Sequence, residues 1–198
     1  MNRLHSVLLF FAIALLTACS PKETKKVVIM ASGKVTAKNN NIKVEPGTQH
    51  NEQTVSFSGD DRVVLSVETP EGTDTMALED NGLYVLNLRM QDTLVGGIVK
   101  YGESSSRTRV SDEELNHLID STRRLILGMG ANDEDKTYFI LPNMVKKIST
   151  DLNAIVVGPF QGIPYELDRK DGKVPEVYKL YTNKQQRESL LDLFKRMK

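Results

Sequence analysis

Turn signals recur at short intervals through residues 27–101: Pro46-Gly47, Ser58-Gly59, Pro70-Glu71-Gly72 and Asn81-Gly82. Glycine and proline punctuate backbone structure, so this stretch has room only for short elements. The segments between the breaks read as strands. Val27-Val28-Ile29-Met30 is a short apolar run. Val55 and Phe57, then Val63, Leu65 and Val67, alternate with polar neighbours, the period of a half-buried strand. Leu83–Met90 and Thr93–Tyr101 form two more strand candidates around a Gln91-Asp92 turn. Strands of this length and spacing predict an antiparallel sandwich or meander. Gly96-Gly97 inside the last run marks a bulge or a close backbone approach.

The pattern changes after a polar stretch at 102–110. Ser111-Asp112-Glu113-Glu114 is a capping box, in which Ser111 accepts from the third helical amide and Glu114 reaches back. Leu115, Leu118, Ile119, Thr122, Leu125 and Ile126 share one face of the helix that follows. Arg123-Arg124 suit its C-terminal dipole, and Gly128 suits the position just past its end. Tyr138–Leu141, Met144–Ile148, Ala154–Val157 and Val177–Tyr181 read as strands. A second helix begins near Asn183, with Leu190, Leu191, Phe194 and Met197 as its apolar face and Asn183 and Gln186 as a box-like cap. The expected class is α+β. A β-rich antiparallel part, 27–103, precedes an α+β part, 104–198, with two amphipathic helices; the two parts form either separate domains or one continuous one.

Asp80-Asn81-Gly82-Leu83-Tyr84 resembles the D-x-G-x-Y that opens strand F of immunoglobulin-like domains, the tyrosine-corner region. The resemblance implies an immunoglobulin-like sandwich for 27–103, with the Tyr84 hydroxyl tying a loop to the sheet. The partner cysteine of antibody domains is absent, and Leu86 stands in its place. Asn81-Gly82 before a strand also reads as a plain hairpin turn.

Val7–Leu16 is a charge-free run of ten residues behind Arg3. A spanning helix needs ~20 apolar residues, so the layout is that of a secretory signal. Leu16-Thr17-Ala18-Cys19 resembles the bacterial lipobox: an aliphatic residue, two small residues, then cysteine. The resemblance implies a signal peptide over 1–18, cleavage before Cys19, and diacylglyceryl and acyl chains on that residue. Several acyl chains exceed what stable anchoring needs, at about 0.8 kcal/mol per buried CH₂. Residues 19–26 would be a polar tether. Ser20, rather than Asp, after the cysteine points to the outer membrane. The basic lean of Ser20–Lys26 favours the periplasmic face over the cell surface.

The cysteine is the chain's only one, so neither a disulfide framework nor a multi-cysteine zinc site can form. The chain has 26 basic and 26 acidic side chains. That balance is not the footprint of a nucleic-acid binder. His117 falls on the polar face of the 111–127 helix, where Asp120 and Ser121 qualify only loosely as ligand partners and no H-E-x-x-H exists. His50 falls in the polar stretch Thr48–Thr54, read as a loop. Asn132-Asp133-Glu134-Asp135 lacks EF-hand spacing and reads as an acidic turn, as do Asp60-Asp61 and Asp168–Asp171. Gly128-Met129-Gly130 follows a helix, and Ser32-Gly33-Lys34-Val35 lacks the rest of a P-loop. Four of the six tyrosines (Tyr138, Tyr165, Tyr178 and Tyr181) crowd the last third, as sheet packing or as interface. No catalytic, cofactor or metal constellation emerges. The sequence therefore points to an envelope lipoprotein with a binding or assembly role and an envelope protein as partner. The alternative is a periplasmic hydrolase whose carboxylates meet only in the fold.

Overall fold

The structure, a computed structural model, describes residues 23–59, 61–99, 111–169 and 172–196. The apolar run Val7–Leu16, Cys19, the 102–110 stretch, Asp60, Asp171 and Met197 lie outside the described residues. The elements are β1 (Glu23–Lys38), β2 (Asn41–Ser58), β3 (Val63–Thr69), β4 (Gly72–Leu78), β5 (Gly82–Leu88), β6 (Leu94–Ile98), α1 (Asp112–Ile126), β7 (Thr137–Ile140), β8 (Met144–Ser149), β9 (Ile155–Val157), β10 (Val177–Thr182) and α2 (Asn183–Arg196). The class is the expected α+β: a strand-rich fold with two helices in its C-terminal half.

β1 and β2 form one long antiparallel hairpin, turned at Asn39-Asn40. β1 starts at Glu23, so Glu23–Lys26, read as tether, are strand. Their polar sequence hid this, because Lys25 is fully buried with its ammonium donating to Asn81 Oδ1 at 2.9 Å. Pro46-Gly47 does not end a strand either. The register passes from Ser32 opposite His50 to Gly33 opposite Pro46, a bulge on β2. Thr48–Thr54 is therefore strand rather than loop. Gly33 has φ +109, and a Cβ there would lie 2.0 Å from the Glu45 carbonyl oxygen. Only glycine admits that conformation and that approach.

The first sheet runs β4-β3-β2-β1-β5-β8 and is nearly barrel-shaped. It is mixed, not wholly antiparallel: β5 lies parallel to β1, and β3 lies parallel to β2 at Asn41–Lys43. β4, whose Gly72–Thr75 half is exposed, carries no alternation that would reveal it as a strand. The Tyr84 hydroxyl donates to the Asp80 carbonyl oxygen at 2.6 Å, the local tie expected of the D-x-G-x-Y segment. The strand it opens pairs with β1 in parallel, however.

The second sheet runs β7-β6-β10-β9. Gly96 and Gly97 serve close backbone approach there: added Cβ atoms would lie 2.0 Å from Lys179 O and 2.6 Å from Lys136 O. Two apolar clusters result. Val27, Ile29, Leu65, Leu78, Leu86 and Leu88 fill the curl of the first sheet. Val28, Met30, Leu83, Val85, Tyr138 and Tyr178 join the two sheets.

The helices meet through Leu115, Ile119, Ile126 and Leu190 and rest on the second sheet. The α1 capping box forms as read, with Ser111 and Glu114 exchanging hydrogen bonds at 3.2 and 3.0 Å. The α2 box sits one residue earlier than expected: Thr182 and Gln185 exchange bonds at 3.1 and 3.0 Å. Asn183 instead donates to the Ile126 carbonyl, tying α2 to α1. Leu118, Leu191 and Phe194, assigned to apolar faces, are largely exposed.

The Gly33 bulge yields a direct test. Gly33→Ala is expected to lower stability by about 2–4 kcal/mol through backbone strain and the clash with Glu45 O. Urea unfolding measures it, and an unchanged midpoint would show that the hairpin can bend without glycine.

Candidate functional site

At the end of the inter-sheet cluster nearest the start of β1, the two sheets leave an open cleft of about 550 Å³. Its walls come from β8 and the 150–151 turn, the start of β7, and the segment entering β10. Tyr138 and Tyr178 form its floor, with ring centroids 6.0 Å apart. Pleat alternation places Glu176 and Tyr178 on one side of the chain, two residues apart.

Glu176 is the centre of the cleft. Its carboxylate accepts from Lys136 Nζ, from Ser149 Oγ at 2.9 Å and from the Tyr178 hydroxyl at 2.5 Å. Burial alone pushes its pKa up, but the bonds from Lys136, Tyr178 and Ser149 together outweigh it and hold the group below its ordinary value. The tyrosines move the other way. Burial, with the negative charges of Asp133 and Glu176 nearby, pushes Tyr138 up to about 12. Burial and the bond to Glu176 raise Tyr178.

Three of the four cleft lysines sit beside acids. Lys136 pairs with Glu176, Lys146 with Asp133 at 2.9 Å, and Lys147 with Asp80 at 3.4 Å. Lys173 is exposed on the rim. This arrangement is suited to binding. A general acid needs a carboxyl raised towards neutrality, and Glu176 is shifted the opposite way. Ser149 gives its proton to an ionised carboxylate with a lowered pKa, a weak base for making a nucleophile.

A second polar group closes the opposite end of the inter-sheet cluster. Arg89 Nε and Nη2 donate to Asp92 Oδ2 at 3.0 and 2.7 Å, and Arg89 Nη1 meets His50 Nδ1 at 2.9 Å. A guanidinium has donors only, so His50 Nδ1 accepts, and Nε2–H donates to Glu52 Oε1 at 2.6 Å. Phe160 covers the group, its ring 4.8 Å from His50 and 5.1 Å from the Arg89 guanidinium carbon. Buried Lys179 donates to the Gly158 and Gln161 carbonyls at 2.5 and 2.6 Å, holding the same loop. Burial lowers its pKa, against the pull of Glu52.

The residues singled out from sequence end in different places. His50 belongs to this structural network on β2, not to a loop. His117 is exposed on α1, along a groove of about 470 Å³ that Asp120, Arg124 and Asp135 also line. In the acidic turn, Asn132 Oδ1 accepts from the Asp135 amide at 2.6 Å, and Asp133 pairs with Lys146. Among the described residues no group of three or more His, Cys, Asp or Glu could hold a metal. Tyr165 is 94% exposed, whereas Tyr138 and Tyr178 are buried. Glu176, Lys136 and Ser149 escaped sequence reading. Lone charges inside apolar runs, Arg89 in Leu83–Met90 and Lys179 in Val177–Tyr181, were a usable signal for the second group.

No protein-family model, curated protein or solved structure matches the chain.

Two titrations probe the cleft. The lowered Glu176 contributes stability that is full above its ordinary value of 4.5 and lost as pH falls through its native value. Glu176→Gln is expected to cost about 1 kcal/mol at neutral pH, discounted for solvent contact, and progressively less in acid. Equal costs at both ends of a urea series across pH would remove the charge from the account. Tyr138, raised from 10.0 to about 12, contributes stability that is full below pH 10 and lost as pH rises through its native value. Ultraviolet titration should show late tyrosine ionisation accompanied by unfolding.

Proposed function

We propose that this chain is a lipoprotein of the bacterial cell envelope, anchored through lipid on Cys19. Its folded part is a non-enzymatic binding module facing the periplasm from the outer membrane. The observation that carries this reading is the spacing between the lipobox-like Leu16-Thr17-Ala18-Cys19 and β1. The first described strand begins at Glu23, four positions after the cysteine, a spacing that suits a folded part following a lipidated residue. No helix among the described residues is long and apolar enough to cross a membrane.

The binding role is supported by the chemistry of the cleft. Its central carboxylate accepts from three donors, while its rim offers both charges and the apolar Val174. Exposed Leu191 and Phe194 on α2, with Ile163 and Tyr165 on the β9–β10 connection, add apolar surface of the kind a protein partner covers. The hydrolase reading would need a raised carboxyl beside a second, free one, and Glu176 supplies neither property.

Metabolic labelling of cells with a palmitate analogue tests the anchor. Label is expected on the full chain and absent from Cys19→Ala; equal labelling of both would overturn the reading. Crosslinking in intact cells, followed by purification, tests the binding role, and recovery of the monomer alone would count against it.

A further inference from the structure

We infer that the end of the fold at which β1 begins rests against the phospholipid headgroup layer, with the Glu176 cleft opening beside it. This rests on the lipid-anchor reading above and adds an orientation and a contact surface to it. Three residues lie between Cys19 and Glu23, so four Cα steps join them. At ~3.3–3.6 Å per step, these span at most about 14 Å.

β1 offers no slack to lengthen that reach. Glu23 pairs with Ser58, and the Thr24 hydroxyl donates to the Gly59 carbonyl. Lys25 is buried, and Lys26 Nζ donates to the Leu152 carbonyl at 2.7 Å. Peeling the strand back would break each of these contacts and expose Val27. The same end of the fold therefore stays near the lipid, including Ser58, Gly59, Asp61 and Arg62, the Glu79–Asn81 turn and the 150–152 turn that Lys26 holds.

The charge on this face suits a zwitterionic surface. Arg62 pairs with Glu79 at 2.9 Å and Lys147 with Asp80 at 3.4 Å, so cations and anions interleave. Lys25 and Lys26 donate to Asn81 and to the Leu152 carbonyl, so among the described side chains of these turns no free basic patch draws in anionic lipid, and the tether, not charge attraction, holds the face down. The cleft follows from the sheet register. Lys26 lies opposite Leu83, Leu83 lies opposite Ser149, and Ser149 bonds to Glu176. The cleft rim is thus about 10 Å along β1 from Glu23. The β5–β6 turn is at the far end. It lies past the Ala31–Leu88 pair, six residues beyond Lys25 and so roughly 20 Å farther from the anchor.

Depth measurement on the lipidated protein tests this. Single cysteines at exposed positions, Asp61→Cys and Arg62→Cys near β1's start and Gln91→Cys on the far turn, each carry a fluorophore. The proteins are placed in phosphatidylcholine–phosphatidylethanolamine vesicles containing lipid with a nitroxide on its headgroup. Quenching at the two near sites is expected to exceed that at Gln91→Cys several-fold and to be unchanged by salt. Two near sites guard against one variant disturbing the fold. Mass spectrometry of the same samples reports the lipid on Cys19. If Cys19 carries no lipid, the anchor reading and this inference both fail. If Cys19 is lipidated but the near and far sites quench alike, or the far site quenches more, this inference alone is overturned.

Discussion

β5 and the Val27–Ala31 stretch of β1 have no solvent face, and the rest of the fold follows from the need to cover them. Val27, Ile29 and Ala31 point into the curl of the first sheet, while Val28 and Met30 point at the second sheet. All seven residues of β5 are buried. Each large aliphatic side chain buried here contributes about 1.5–3 kcal/mol. A strand pair covered on both sides needs two partners, one per face. The long hairpin curls with β3 and β4 to supply one, and β6, β7, β9 and β10 supply the other. β8 pairs with β5 in the first sheet and β6 joins the second, so the stretches before and after residue 104 complete each other's layers. Without the later strands, Leu83 and Val85 would face water.

The interior polar groups are arranged around that constraint. Asn87 interrupts β5 at zero exposure. Its amide donates to the Asp92 and Ile140 carbonyls, each at 2.9 Å, and its oxygen accepts from the Arg89 amide at 3.1 Å. The side chain therefore replaces the backbone partners lost where β5 turns into β6. Arg89, His50 and Glu52 then close the inter-sheet layer at that end, and Glu176 with Lys136 closes it at the other. Each group pairs its charges, because an unpaired buried charge costs far more than a paired one. The two ends differ in access: Phe160 caps the Arg89 group, and nothing among the described residues caps Glu176.

The legible parts of the fold were those governed by local chemistry. Ser111 and Glu114 announced α1, since a capping box depends on residues adjacent in sequence, whereas Gly96-Gly97 announced a bulge or a close approach without naming the distant Lys136 and Lys179 backbones they meet. Parallel pairing of β1 with β5 was not legible, because Lys25–Ala31 and Gly82–Leu88 are brought together by hydrophobic burial over more than fifty residues. The Pro46-Gly47 signal misled for a related reason. A bulge and a turn ask for the same residues, and only the Gly33–Glu45 contact across the hairpin decides between them. Glu23–Lys26 read as tether because a buried lysine looks like a solvated one until Asn81 is placed beside it. The cleft was illegible for the same cause. Lys136, Ser149 and Glu176 come from three separate segments, and none of them sits in a recognisable spacing.

One strand thus holds two roles that are usually separate. β1 is the centre of the core, and under the lipid-anchor reading it is also the first structured element after the membrane. A flexible tether would let the folded part tumble, and a ligand in the cleft would meet it at any height. A start at Glu23, fixed by Ser58 on one side and by Asn81 through Lys25, makes the path from Glu23 to the cleft a short length of paired sheet. The position of Glu23 is then linked to β5 and β8 through backbone pairing, and to Glu176 through Ser149. For a binding module such coupling fixes the distance between ligand and membrane.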